Sequence, residues 1–491
     1  MKRGIFTMLA VCIFASLVLA QATAGRLVGT VSGPDGVLPG ATVTVTDVQT
    51  GRTQTVTTNE SGAYSFERLT FGTYSLSVTA NGFKTFRALE VKIDVNRDST
   101  INPILEVGDV NATVTVTAGA DVMNATSGEL STTVSPKQIL DLPINGRNPL
   151  SLLNLQAGVN PTAGNHVNGQ RTSSTNFTRD GINIQDNFIR TGGFVQDRPN
   201  VDDTGEFTVV TQNAGADLGG GGSAQIQLVT PRGGREFHGA GYIYNRNSAF
   251  PANEFGNNAA VPRIEKPFLN RNQFGGKLSG PMPLPAFGEG TPYVTRDKGF
   301  FFFNYERFVL RQQSSKTTTI LLPQFRDGTF TYVDAGGVSR TVNVLTGAGL
   351  NLSGGNAVTF AAAGGVLGVD PVIQNRILSR LPSAGNVACP ASGCPNGGLS
   401  QNFSFNQANN DTRNAFTSRF DVDLNSSNSV YFVYKYNNNA DDRTDIDNTF
   451  NVVPVNTQGG PTSSYILSYV STLGNNFVNE VRGGYQKSSP F

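Results

Sequence analysis

The chain of 491 residues is poor in the groups that hold metals or do covalent chemistry. It has two histidines, His166 and His238, which stand far apart and belong to no recognisable ligand motif. There is no nucleophile motif and no phosphate-cradling loop; GGGGS at 219–223 has no Lys after it and reads as flexible backbone. Catalytic residues, bound metals and cofactors are therefore not expected. Charged residues make up only 15%, against a usual quarter or so, and the formal net charge of +1 removes the electrostatic case for nucleic acid as a partner. Beyond the N-terminus no stretch offers the roughly 18 continuous apolar residues of a spanning helix, so if the mature chain sits in a membrane, helices do not carry it across.

Cysteine is scarce too. Cys12 lies inside an apolar run, Ile5 to Leu19, that follows Lys2 and Arg3 and precedes Ala22-Thr23-Ala24, so residues 1–24 are expected to be a signal peptide removed on export. The position of Cys12 within the run, away from a lipobox end, argues against a lipoprotein. Cys389 and Cys394 sit in the turn-rich VACPASGCPNGG; an exported chain meets oxidising conditions, so a small local disulfide is expected, with metal binding the weaker reading.

What the chain has in abundance is glycine, 56 residues of it, together with Val, Thr, Tyr and Phe, a β-rich composition with many turns. Its length suggests about two to four domains. From 25 to 107, short alternating or β-branched runs follow one another with Pro-Asp-Gly, Asn-Glu-Ser-Gly and Asn-Gly between them, which predicts a sandwich of about seven strands. Residues 108–121 contain an extended, uncharged strand, Thr113, Val114, Thr115, Val116 and Thr117, which reads as a last sandwich strand, as a plain linker, or as an exposed edge able to pair with another protein's sheet. From 122 to 232 the texture is α+β: SPKQILDLP has Pro136 in a first turn and Ile139, Leu140 and Leu142 available for a core, and short strands follow.

From 233 onward strands are expected at roughly 236–244, 270–280, 298–312, 412–424, 428–437, 463–473 and 476–487, close to the length a tilted spanning strand needs. The connectors run long, intermediate, very long, very short, long, very short, with tight turns at 425–427 and 473–475, as in a wall with turns on one side and loops on the other. In NAFTSRFDVDLN the row Phe416, Phe420, Val422 and Leu424 is expected to touch lipid, and the row Arg419, Asp421 and Asp423 to face a wet lumen or a plug. Tyr434, Tyr436 and Phe308 suit interfacial girdles or serve as ordinary strand formers. The stretch from about 313 to 411 reads as an external loop with a short helix at VIQNRILSRL.

GVLPGATVTVTDVQTGRTQTVTTNESGAYSFERLTFGTYSLSVTANGFKTF resembles the carboxypeptidase regulatory-like module, a transthyretin-type sandwich; the His-x-x-Glu pair of zinc carboxypeptidases is absent, so the resemblance implies no peptidase. Behind it, DLPINGRNPLSLLNLQAGV, VNGQRTSSTNFTRDGIN, REFHGAGYIYNRNSAF, NRNQFGGKLSGP and DKGFFFFNYERF, in that order, resemble the Oar-type TonB-dependent receptors of the Gram-negative outer membrane. The resemblance implies a mainly β chain: the sandwich, a small α+β plug domain, then the first part of an antiparallel transmembrane β-barrel, incomplete because such barrels have about 22 strands. A complete eight-stranded barrel is the other reading. It also implies a TonB box at Thr113 to Thr117 and a plug motif comprising Leu142, Pro143, Asn145, Gly146, Arg147, Asp180 and Gly181, with Arg147 and Asp180 either anchoring plug to wall or serving as plain turn residues. Implied partners are TonB with ExbB and ExbD, the outer-membrane bilayer, and a bulky scarce solute such as an oligosaccharide, siderophore or peptide. The alternative is a non-transporting adhesin or carbohydrate-binding surface receptor.

Overall fold

The computed structural model describes residues 24–489 except 96, 110–111, 118–127, 162–164, 187–194, 216–217, 254, 256–257, 259–264, 283–296, 345–368, 384, 386, 388–398, 447–455 and 474–476. The expected signal segment up to residue 23, and Cys389 and Cys394, lie outside the described residues.

The N-terminal strands are β1 (Gly25–Thr30), β2 (Thr42–Asp47), β3 (Thr53–Thr57), β4 (Ala63–Leu69), β5 (Gly72–Thr79), β6 (Thr85–Ile93), β7 (Asp98–Thr100) and β8 (Thr113–Thr117). They form two sheets, β4-β1-β7 and β8-β6-β5-β2-β3. Alternation decides what lies between them: Val43 and Val45 from β2, Leu76 and Val78 from β5, Leu27 from β1 and Phe66 from β4 are buried, while the threonines between the valines of β2 are more exposed. The turn after β2 forms because the Asp47 carboxylate accepts the N–H groups of Gln49 at 2.8 Å and Thr50 at 3.1 Å, with Gly51 at φ 69°.

A central unit follows: β9 (Leu130–Val134), helix α1 (Pro136–Asp141), β10 (Asn176–Arg179), β11 (Ile182–Asn183), β12 (Glu206–Gln212) and β13 (Gln225–Val229), in the sheet order β9-β12-β13-β10-β11. Helix α1 starts where the sequence says it should, with a Ser135–Gln138 capping box and Pro136 in the first turn. It is only six residues long, so Ile139 alone reaches the core; Leu140 and Leu142, expected there too, are 47% and 38% exposed. Ile139 joins Leu150, Leu153, Phe177, Phe207 and Leu228 in one apolar cluster.

The remaining strands are β14 (His238–Asn247), β15 (Leu269–Pro281), β16 (Gly299–Leu321), β17 (Ser400–Ala408), β18 (Asp411–Asp423), β19 (Asn428–Asp442), β20 (Thr457–Leu473) and β21 (Phe477–Ser488). They make one antiparallel wall, β14-β15-β16-β18-β19-β20-β21, with β17 on the far half of β16. β16 runs to Leu321 and pairs there with β17, so part of the expected external loop is sheet; a helix at Pro371–Arg376 lies where a short one was expected. One face of the wall is an apolar and aromatic row that includes Ile243, Phe274, Tyr305, Tyr465, Leu467 and Tyr485, all substantially exposed. Phe308 is not in it: it shares the parity of Asn304 and Glu306, is buried, and has the Arg413 guanidinium 4.7 Å from its ring centre. No helix among the described residues is long and apolar enough to cross a membrane.

The opposite face wraps the central unit, touching it from Lys277 on β15 to Gly484 on β21. The sandwich sits at the short-turn end of the wall. Arg52 pairs with Asp423 at 3.0 Å and donates to the Ser426 carbonyl at 3.3 Å, and Arg68 pairs with Glu480. The sandwich holds the central unit as well, through Asp47 with Arg232 and through Val95.

Phe66 is 2% exposed and meets Tyr64 edge-on at 6.0 Å between ring centres. Phe66→Ala is expected to destabilise the sandwich by about 3–5 kcal/mol through the cavity it leaves, read as faster hydrogen exchange of the β1 and β4 amides. Unchanged exchange would contradict this packing.

Candidate functional site

The seam between central unit and wall is built from buried charge. Arg179, the last residue of β10, is 1% exposed and pairs with Asp197 at 2.9 Å and Asp203 at 3.4 Å. Lys435 reaches the same two carboxylates from the middle of β19, at 2.5 Å and 2.7 Å. Two cations and two anions cancel, which is the condition for burying them at all. Asp203 accepts further hydrogen bonds: Asn200 N–H donates at 2.9 Å, Thr204 Oγ1 at 3.2 Å, and Thr417 Oγ1 from the wall at 3.1 Å. Burial by itself would lift the Asp203 carboxyl, yet the neighbouring Arg179 and Lys435 hold it at about 2.

A second contact lies nearer the short-turn end. Asp180 and Gly181 both have positive φ, 47° and 78°, and join β10 to β11 as a two-residue Asp-Gly hairpin turn. The turn places the Asp180 carboxylate to accept the Thr230 N–H at 3.0 Å and the Thr230 hydroxyl at 2.6 Å. Arg419 of the wall comes within 3.8 Å of it, donates to the Thr230 carbonyl at 2.9 Å, and is held in place by Asp421 at 2.8 Å and the Tyr431 ring at 4.5 Å. So Asp180 is both a turn residue and an ionic contact to the wall.

The LPINGR motif makes the third. Gly146 at φ 89° closes a turn in which the Arg147 N–H donates to the Ile144 carbonyl at 3.2 Å. Asn145 then accepts from Arg271 at 3.0 Å and Arg246 at 3.3 Å, both on the wall. Arg147 does not pair with a wall carboxylate. Its guanidinium lies over the Tyr242 and Tyr244 rings, 4.9 Å and 4.2 Å from their centres, and binds Asp202, which in turn meets Lys277 of the wall at 2.9 Å. Leu142 and Pro143 lead the chain into this turn and make none of these contacts.

Strand Thr113–Thr117 is the terminal strand of the larger sandwich sheet, running parallel to β6 in the register Thr113 to Thr85 through Thr117 to Leu89. The Thr85 N–H donates to the Ala112 carbonyl at 2.8 Å, which sets the phase. In a parallel ladder of that phase the amides of Val114 and Val116 face β6, and those of Thr113, Thr115 and Thr117 face outward.

Of these residues, Arg179, Asp197, Asp203 and Lys435 escaped the sequence reading. A lone Lys in VYFVYKYN, among residues suited to lipid, was a usable signal, because its charge has to point inward. Nothing local marked Asp197 and Asp203 as its partners.

Lys435→Met leaves a net negative charge buried between Asp197 and Asp203, and is expected to loosen the seam by about 3–5 kcal/mol, seen as faster amide exchange in β10 and around 200–203; unaltered exchange would contradict the pairing. Glu206 supplies a pH test. Its carboxyl is buried between central unit and sandwich, where it accepts the Val95 N–H at 2.6 Å, and burial pushes it up from 4.5 to about 8, with the Val95 N–H opposing and Asp94 adding. Its contribution is fully present below the unfolded value of 4.5 and lost as pH rises through about 8. Glu206→Gln should therefore flatten the pH dependence of Val95 amide protection between those limits; a variant with the wild-type slope would refute the assignment.

Comparison with known families places these parts. The model of the outer membrane beta barrel domain matches residues 229–490, and that of the carboxypeptidase regulatory-like domain matches residues 26–106. No curated protein matches the chain. Solved structures similar to it include the outer membrane transporter YddB of Escherichia coli, 11% identical over 72% of this chain and 38% of that one with a TM-score of 0.42. The ferric enterobactin receptor PfeA of Pseudomonas aeruginosa is 12% identical over 74% and 41%, with a TM-score of 0.39. The siderophore receptor PirA of Acinetobacter baumannii is 12% identical over 72% and 47%, with a TM-score of 0.33. The chain thus spans less than half the length of these three. With a wall whose two faces differ as described, and a family match over more than half its length, the chain belongs to the outer-membrane β-barrel proteins, with a carboxypeptidase regulatory-like domain at its N-terminal side.

Proposed function

We propose that the chain acts in energised uptake across the outer membrane: a wall that forms a passage, a central unit that plugs it, and TonB, driven by ExbB and ExbD, that moves the plug. The observation that carries this reading is the seam. Lys435, Arg419 and Lys277 hold the central unit by charge pairs and hydrogen bonds, and such contacts separate once water enters and rehydrates each ion. An adhesin has no use for a separable filling.

On this reading the short-turn end, with the sandwich, faces the periplasm, and the long loops face outward and capture ligand with the plug apex near Asn145 and Arg147. The solute is bulky and scarce, an oligosaccharide, siderophore or peptide, and the loops select it. Thr113 to Thr117 serves as the TonB box, because an uncharged extended segment offers its backbone groups to a partner strand. The chain does no catalysis of its own.

Thr115→Pro tests the box. Proline is tolerated on an edge strand where the lost N–H faces outward, so the sandwich should stay folded while affinity for the C-terminal domain of TonB falls at least about fivefold, with Thr115→Ala near wild type. Equal binding by both variants would remove the box and leave a non-transporting surface receptor as the better reading.

A further inference from the structure

The uncharged strand is not free in the resting chain, and the way it is held fixes how a partner reaches it. β8 covers the edge of β6 with five residues in parallel register, and no strand among the described residues pairs with its own far edge. That edge carries no charge, proline or glycine across Thr113–Thr117, the features by which exposed edges are ordinarily guarded against strand addition. Thr113 and Thr115 are exposed. The ladder stops at Leu89, next to Glu90 at φ 59°, a left-handed turn of the backbone that takes β6 out of line. β3, at the other end of the same sheet, is likewise uncharged, but it is preceded by Arg52, which is tied to Asp423 of the wall.

We propose that the partner strand adds to the open outer edge of β8 while β8 stays docked on β6, so that sandwich, box and partner become one continuous sheet. The proposal rests on the reading of Thr113–Thr117 as the TonB box and adds to it the surface on which the box is presented. Addition forms a new ladder on the Thr113, Thr115 and Thr117 amides and breaks nothing. Displacement would first strip the β6 amides of their acceptors. The docked arrangement also gives the pull a route. A load on β8 passes to β6, and two residues beyond the end of β6 Val95 is bonded to β12 of the plug, its N–H to the Glu206 carboxyl at 2.6 Å and its carbonyl to the Thr208 hydroxyl at 3.3 Å. The sandwich is then the coupling piece between partner and plug.

Residue-resolved hydrogen exchange on the full chain in detergent, with and without the C-terminal domain of TonB, decides the matter. Without the partner, the amides of Val114 and Val116 should be protected and those of Thr113, Thr115 and Thr117 open. With it, the latter three should slow at least about tenfold while Arg87 and Leu89 keep their protection. Loss of protection at Arg87 and Leu89 on binding would mean displacement and overturn the proposal, as would protection appearing at β3 in place of β8. If the domain binds nowhere on 113–117 although Val114 and Val116 are protected, the functional reading itself fails, and the proposal with it.

Discussion

The structure depends on one constraint: a sheet with an apolar outer row keeps most of the charge of its strands on the inner face, and a charge that is buried there has to meet its opposite. Lys435, Arg419 and Lys277 are the cations that result, and Asp203, Asp197, Asp180 and Asp202 are the anions that the central unit brings to them. Without the central unit Lys435 would face no carboxylate of Asp197 or Asp203, whereas Arg419 would keep Asp421; with it in place the buried charges of the seam are neutralised.

The sandwich acts at the other end of this arrangement. It touches the wall through Arg52 and Arg68, the central unit through Asp47 and Val95, and the uncharged strand 113–117 through β6. Wall, central unit and strand therefore meet in one small domain whose core is conventional and whose edges do the connecting. Its wall contacts are ion pairs at the short-turn end, and its contacts to the central unit include the Glu206 carboxyl, which burial pushes up to about 8.

Much of this was legible in the sequence where the physics is local. Period-two alternation placed Arg419, Asp421 and Asp423 on one face and Phe416 and Phe420 on the other, and the wall strands fell close to where the pattern put them. Pro136 in a first turn marked the beginning of helix α1, which the Ser135–Gln138 capping box then fixes. The pattern failed where it was ambiguous or too short. GFFFFNYERF is aromatic on both parities and charged on both, with Glu306 on one and Arg307 on the other, so alternation alone does not decide which way Phe308 turns. Helix α1 ends before Leu142, leaving Leu140 on its outer side. The partners of Lys435 were not legible at all, because Asp197 and Asp203 are brought there by the tertiary fold and leave no mark in neighbouring residues; for 113–117 a last sandwich strand was one of three readings the pattern allowed, and only the β6 edge chooses it.

The two faces of the wall meet different surroundings. Single spin labels at Leu467, on the outer row, and Ser468, fully buried on the inner face, in protein reconstituted into lipid bilayers test this directly. Collision with oxygen at 467 should be frequent and collision with a water-soluble nickel chelate rare, while 468 should be shielded from both. Frequent collision of the nickel chelate at 467, with oxygen collisions there no more frequent than at 468, would show the outer row in water and overturn the lipid-facing wall.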